Sequence, residues 1–500
     1  MASTTTLPLR TKLAFGVGAS AEGAFNVAFN TWNFLFYNQV LGLSGTLAGL
    51  AVTISLVLDA IAEPLVGSIS DRFRSRLGRR HPFLFAAPVP LALAFYGLYV
   101  PPAGLSSVGL FVWFCAFATL HRQAMTLYQV PHLALGAELS RDYHQRSIVM
   151  SYTAIFGTVG AAATFILGWT WFGRTPGGAA ARSGYAGLGL GVGLIGASII
   201  AASAYFTRDR IPFLEQPTAA AGDRERLSAA RVLREVKSCL DSPNYRAALG
   251  GLLCLSATIG VRETLSSYVN LFFWELPATK IRVFGTVTPP AFLCAFFLTV
   301  RLHRRFEKRN TIIYSLWVLV LAAVAPVLLR FAGALPANGS PALIPCLLAF
   351  SFLFYAAIAV QMISVLSILA DVADEHELRT GTRQEGMLYA ARTFFSKLSS
   401  ALGHLIGGLA IDAIAFPAGA KPGQVGQQVL NELALLDGPI AALPTLFAIW
   451  CYRKYAIDHQ RHADIQLALS ERRAARIGQS TVAAGATEAH APSPPWVPTV

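Results

Sequence analysis

The sequence has 500 residues, 54% of them hydrophobic and 13% charged, and a mean hydropathy of +0.50. A soluble protein carries about a quarter charged residues, so this composition excludes a single globular core in water and points to lipid as the solvent. The net charge is +13, from 40 Lys and Arg against 27 Asp and Glu. These basic residues lie between apolar runs and not on one patch, which is the distribution of membrane orientation and argues against nucleic acid as a partner.

A short polar arm precedes the first apolar run, and no cleavage site follows that run, so no cleavable signal peptide is expected. A spanning helix needs about 20 mainly apolar residues. Runs of that kind begin near Leu13, Gly45, Phe83, Gly109, Ser147 and Gly184, and resume near Ala247, Val283, Thr311, Ala342, Glu385 and Asn431. The expected fold is an all-α membrane protein of twelve transmembrane helices in two six-helix halves, residues 1–206 and 247–453. Residues 207–246 form a basic linker with Arg208, Arg210, Arg224, Arg226, Arg231, Arg234 and Lys237, helix-capable from Arg224 to Leu240. Residues 454–500 read as a polar, then Ala/Pro-rich tail, disordered at its end. The cysteines Cys115, Cys239, Cys254, Cys294, Cys346 and Cys451 are scattered, without the spacing of a metal site.

Segments placed in the cytoplasm hold about thirty basic residues, and those outside about six, namely Arg174, Arg182, Lys280, Arg282, Arg330 and Lys421. Both termini are therefore expected in the cytoplasm, which requires an even number of spans. Two halves joined by a cytoplasmic linker is the major facilitator architecture. That step is an analogy of fold, so function has to be read from the sites.

A charge near the bilayer centre costs about 2.5–3.5 kcal/mol on insertion scales and persists where it faces a cavity or a partner. Asp59 and Glu63 sit four apart in the second run, so both carboxylates leave one helix face. Two acids so placed can hold a small cation or share a proton. Pro64, next in sequence, removes a backbone donor. The alternative is an acid pair at a helix end, two turns before Asp71. Lys397 in the eleventh run can pair with those acids and change partner as a cation arrives; the plain reading is a lysine snorkelling to the interface. Arg262 and Glu263 in the seventh run, and Glu22 and Arg122 earlier, are further intramembrane polar groups, open between solute contact and an interfacial charge or ion pair between helices, while His121 beside Arg122 reads as a satisfied buried histidine before a proton carrier. After the second run comes a loop with Gly67, Asp71, Arg72, Arg76, Gly78 and Arg79. Asp71 there can take arginine hydrogen bonds across a cytoplasmic seam, a gate that forms and breaks. Arg304-Arg305-Phe306-Glu307-Lys308-Arg309 is its weaker counterpart in the second half.

Four features together resemble the glycoside–pentoside–hexuronide:cation symporter family, melibiose-carrier-like, of the major facilitator superfamily. They are Asp59-x-x-x-Glu63-Pro64 with Gly67 and Asp71; Arg74-Ser75-Arg76-x-Gly78-Arg79-Arg80-x-Pro82; Tyr128-Gln129-Val130-Pro131 through Glu138-Leu139; and Gly381-x-Arg383-x-Glu385-Gly386 leading to Lys397. The resemblance implies a cation site of Asp59, Glu63 and Thr126, with Lys397 beside it. Ala62 stands where sodium-using relatives carry an asparagine, which weakens sodium and leaves H+ or Na+ as the coupling ion. The family's sugar-gripping acids and arginine fall at Gly23, Gln129 and Thr153, so that grip is lost here. Glu22, Gly23, Arg122, Gln129, Thr153, Arg262 and Lys397 then make up the candidate solute site.

The resemblance implies cation:solute symport by alternating access, with a sugar, glycoside or hexuronide as solute and no cofactor besides the ion. The partners expected are the small solute, the monovalent cation and the lipid bilayer, with a monomer as the default. A lysolipid or organic anion as solute, a channel, and a non-transporting sensor are the rival readings. No nucleophile–base pair or metal cluster suggests an enzyme.

Overall fold

The computed structural model describes residues 7–140, 142–214, 240–381 and 385–489. Thirteen long helices run through them in order. They are α1 Leu9–Leu35, α2 Gly45–Arg72, α3 His81–Leu98, α4 Ser107–Glu138, α5 Tyr143–Arg174 and α6 Arg182–Thr207 in the first half. The second half holds α7 Pro243–Tyr268, α8 Ala278–Arg305, α9 Lys308–Phe331, α10 Leu343–Thr380, α11 Glu385–Ala413 and α12 Gln427–Arg453. The last, α13 His459–Ala489, occupies the tail. Most of the linker, residues 215–239, lies outside the described residues, as do Arg383 and residues 490–500.

Ten of these helices are long and apolar enough to cross a bilayer. The other two of the expected twelve, α1 and α4, have 27 and 32 residues and so have the length. They fall short in apolarity because α1 carries Glu22, Asn26 and Asn30, and α4 carries His121, Arg122, Gln123 and Gln129. A span can keep such residues only where it faces protein or water. The chain is an integral membrane protein of twelve spans in two halves.

Side-chain caps start several helices: Ser44 accepts from Leu47 N at the head of α2, Ser106 from Gly109 N at α4, and Asp142 from Gln145 N at α5. The halves repeat each other in detail. Both α1 and α7 end in a five-residue π-helical turn, Phe36–Val40 and Val269–Phe273. Within each half small residues let helices close on one another, since lipid gives no hydrophobic drive for association. Gly23 of α1 is the clearest case: a Cβ there would lie 2.1 Å from the carbonyl oxygen of Gly157 on α5.

Candidate cation and solute site

The centre of the molecule is a charge cluster where α2 meets α11. Lys397 Nζ donates to Asp59 Oδ2 at 2.5 Å and to Glu63 Oε1 at 2.7 Å. The four-residue spacing puts both carboxylates on the α2 face that meets α11. The Thr126 hydroxyl of α4 donates to the other Asp59 oxygen. Asp59 is 5% exposed at its side chain and Glu63 20%. The residues expected to hold a cation are thus in one place, with an ammonium lying between the two acids.

Two further expected residues border this cluster. Arg122 Nε donates to Ser55 Oγ at 3.2 Å, one turn before Asp59, and its guanidinium lies over the Phe29 ring at 4.4 Å. The Gln129 amide donates to Glu22, which lies within electrostatic reach of Lys397 and Glu63. Three carboxyl groups, Glu22, Asp59 and Glu63, therefore face the two fixed cations Lys397 and Arg122, and one further monovalent charge, a proton on one carboxyl included, balances the cluster. Uncompensated charge is costly away from water, so the arrangement fits one more monovalent cation or one proton. His121 is buried and stacked on Phe29 with ring centroids 5.5 Å apart, a packed core histidine. Thr153 stands on α5 with its hydroxyl donating to Val149 O of its own helix at 3.2 Å.

A cavity of about 490 Å³ opens between the halves, lined by α1, α5 and α7 to α10, with Asp437 of α12. Of the expected solute residues, Gly23 and Arg262 line it; Glu22, Arg122, Gln129 and Lys397 belong to the charge cluster instead. Arg262 Nη2 pairs with Asp437 Oδ2 at 3.2 Å, and the guanidinium lies 4.5 Å from the Phe354 ring centroid. Glu263 Oε2 lies 3.5 Å from His404 Nε2 on α11. Sequence reading singled out neither Asp437 nor His404. Asp437 is an acid inside an apolar run, the same signal that drew attention to Asp59.

The loop motif builds a latch within the first half. Arg80 is 6% exposed and donates to Ser70 Oγ at 2.7 Å, Asp71 Oδ1 at 2.5 Å and Glu138 Oε1 at 2.9 Å. Arg79 joins the same Glu138 at 2.9 Å. These contacts tie the ends of α2 and α4 to the start of α3. The arginine that Asp71 meets is therefore in its own half, not across the seam. Gly78 supplies the turn with φ +74°, where only glycine is unstrained. A Cβ on Gly67 would meet nothing closer than 3.6 Å, and Arg72 and Arg76 are exposed. The second half repeats the device, with Lys308 at the start of α9 donating to both oxygens of Asp371 on α10 at 2.8 Å. Arg80→Gln leaves Glu138 and Asp71 short of their buried donor. It should lower stability by about 3 kcal/mol, within the range for breaking a buried pair, read as a fall in the melting temperature of the detergent-purified protein. Arg72→Gln, on the exposed loop, should leave that temperature unchanged.

A belt of contacts joins the halves at the end away from the termini. Asp412 of α11 accepts from Gly45 N at 2.7 Å, Thr46 N at 2.8 Å and Thr46 Oγ1 at 2.6 Å at the head of α2. Ser267 donates to Thr31 O at 3.1 Å and Tyr268 to Asn38 Oδ1 at 2.7 Å. Behind Asp412, Gly408 and Gly45 touch backbone to backbone: a Cβ on Gly408 would lie 2.2 Å from Gly45 O.

The model of the MFS/sugar transport protein family matches residues 14–459. The chain belongs to that family. Among curated relatives, the candidate glycoside/cation symporter YagG of Escherichia coli K12 is 23% identical over 434 residues, covering 86% of this chain and 88% of its own. The inner membrane symporter YicJ of the same organism is 23% identical over 477 residues, covering 93% and 96%. A crystallised D-xylose–proton symporter aligns with a TM-score of 0.60 at 14% identity, covering 88% of this chain and 96% of its own. That likeness shows the fold. The family makes this protein a secondary transporter and not an enzyme, in agreement with the sequence reading.

Proposed function

We propose that this transporter is a symporter that couples one monovalent cation, H+ or Na+, to uptake of a small solute of the sugar, glycoside or hexuronide kind. It works by alternating access in the plasma (inner) membrane with both termini in the cytoplasm. The observation that carries this reading is Lys397 Nζ lying between Asp59 and Glu63. That bridge links the two halves, α2 to α11, through a cluster of three carboxyl groups and two cations. A cation arriving at the acids balances the cluster and competes with the ammonium. It thereby weakens one tie between the halves, and so interacts differently with the two access states, which is what a coupling ligand must do. Ala62 beside the acids offers no side-chain oxygen, and the Thr126 hydroxyl already serves Asp59. Both features favour a proton over sodium. One charge crossing 100 mV yields about 2.3 kcal/mol, enough for roughly fifty-fold accumulation.

Asp59→Asn and Glu63→Gln each remove one negative charge from the cluster and so take away the need for the ion. Both variants should fold, and both should lose the thermal stabilisation that added sodium or lowered pH gives the native protein. Full retention of that cation response in both variants would remove these acids from the cation site.

A further inference from the structure

We infer that the cavity beside Arg262 is built for an uncharged, polyhydroxylated solute and rejects the same ring once it carries a carboxylate. The inference rests on the chain being a solute transporter, and it is independent of which cation, if any, is coupled.

Three charged residues line the cavity: Arg262, Glu263 and Asp437. Arg262 and Asp437 neutralise each other at 3.2 Å. Glu263 is the surplus acid, with His404 Nε2 at 3.5 Å as its neighbour. An anionic solute entering this space would bring a like charge up to Glu263 in a partly desolvated pocket, where such juxtaposition is strongly unfavourable.

The ion pair is also incompletely satisfied, in a way that specifies chemistry. Arg262 Nη1, a donor, and Asp437 Oδ1, an acceptor, are both buried without a hydrogen-bond partner among the described residues. Asp437 is 6% exposed at its side chain. Buried polar atoms normally find partners. Both atoms are covered in this state, which leaves their hydrogen bonds to be made as the solute arrives. A hydroxyl accepts and donates at once, so one hydroxyl, or two on neighbouring carbons, serves Nη1 and Oδ1 together. A carboxylate only accepts: it could serve Nη1 and would be repelled by Oδ1. Across the cavity Asn30 Oδ1 is another buried acceptor without a partner, its amide already donating to Asn26. With the Trp169 indole N–H, the unmet atoms of the lining residues are two donors and two acceptors, a set that hydroxyls, which both donate and accept, can satisfy in full and a carboxylate cannot. The remaining wall carries Phe165, Trp169, Phe284 and Phe354, flat surfaces against which the apolar face of a sugar ring can lie.

This arrangement places the charged part of the grip on the solute in α7 and α12 of the second half. In the first half Gly23 is committed to packing against Gly157, and the Thr153 hydroxyl to its own helix.

The test uses matched pairs: p-nitrophenyl β-glucoside against p-nitrophenyl β-glucuronide, and the galactoside against the galacturonide. Binding to the full-length purified protein is read by thermal shift and by equilibrium dialysis, at several sodium concentrations and pH values. The neutral member of at least one pair should bind at least tenfold more tightly than its uronate. Glu263→Gln should narrow that ratio by tenfold or more by admitting the uronate. Asp437→Asn should weaken the neutral ring, and Glu263→Gln gives an answer even where Asp437→Asn fails to fold. Equal or tighter binding of the uronates, or no binding of any neutral glycoside, overturns the inference. A neutral glycoside that binds without any response to sodium or pH leaves the inference standing and overturns cation coupling instead.

Discussion

Lys397→Met makes the fold depend on an added cation. The substitution keeps the length of the side chain and removes the ammonium that lies 2.5 Å from Asp59 and 2.7 Å from Glu63. Two carboxylates one turn apart on α2 are then left with Arg122 as their nearest fixed positive charge. Removing one partner of a buried pair costs about 3–5 kcal/mol; with Lys397 22% and Glu63 20% exposed, water offsets part of this, and about 2–4 kcal/mol is expected. The loss should appear at neutral pH in sodium-free buffer as a lower melting temperature. It should be largely recovered by sodium or by acid, since either supplies the charge the lysine no longer does. The native protein, in which the lysine competes for the acids, should respond less to the same additions. Equal melting temperatures and equal cation responses in the two proteins would mean that Lys397 is a bystander.

Asp412→Asn unlocks the end of the molecule away from the termini. The head of a helix has backbone N–H groups with no intrahelical acceptor and a partial positive charge. Asp412 reaches across from the other half and satisfies two of them together with the Thr46 hydroxyl. The asparagine has no net charge and one acceptor oxygen fewer, so at least one of the three bonds is lost and the rest weaken. Asp412 is exposed at its rim, so the loss is set at about 1–2 kcal/mol, below the usual value for a charge-assisted bond. That moves the closed-to-open ratio at this end by roughly five- to thirty-fold. A reporter cysteine at Ser267, whose hydroxyl donates to Thr31 O inside the same belt, should react correspondingly faster with a membrane-impermeant thiol reagent. The comparison is made in a background with the native cysteines replaced by serine. Unchanged labelling would show that the Gly45–Gly408 contact closes this end without Asp412.

The parts of the molecule legible in the sequence were those where a charge stands against an apolar background. Asp59, Glu63 and Lys397 are conspicuous within their runs, and the structure brings them together with Thr126. The spans were legible for the complementary reason, including α1 and α4, whose polar residues keep them out of the ten most apolar helices. What could not be read was pairing between distant helices. Asp437 stands inside its run and Asp412 at the end of its own, and nothing local says that one will meet Arg262 and the other the head of α2. The latch shows the same limit. Its basic loop is plain in sequence, yet burial chose Arg80 over Arg72 and Arg76, and its main partner Glu138 lies at the far end of α4. Gly23 was expected in the solute site and does line the cavity, though its lack of a side chain is required by the contact with Gly157.

The most direct measurement is solute accumulation in proteoliposomes with an imposed inward gradient of H+ or of Na+. The solute is whichever neutral aryl glycoside the purified protein binds. The native protein should concentrate it inside under one of the two gradients, and collapse of that gradient should release it. Asp59→Asn and Glu63→Gln should bring the solute only to equal concentrations on the two sides. Accumulation in either variant to the native level, or equilibration without accumulation by the native protein under both gradients, would contradict a coupling site at Asp59, Glu63 and Lys397.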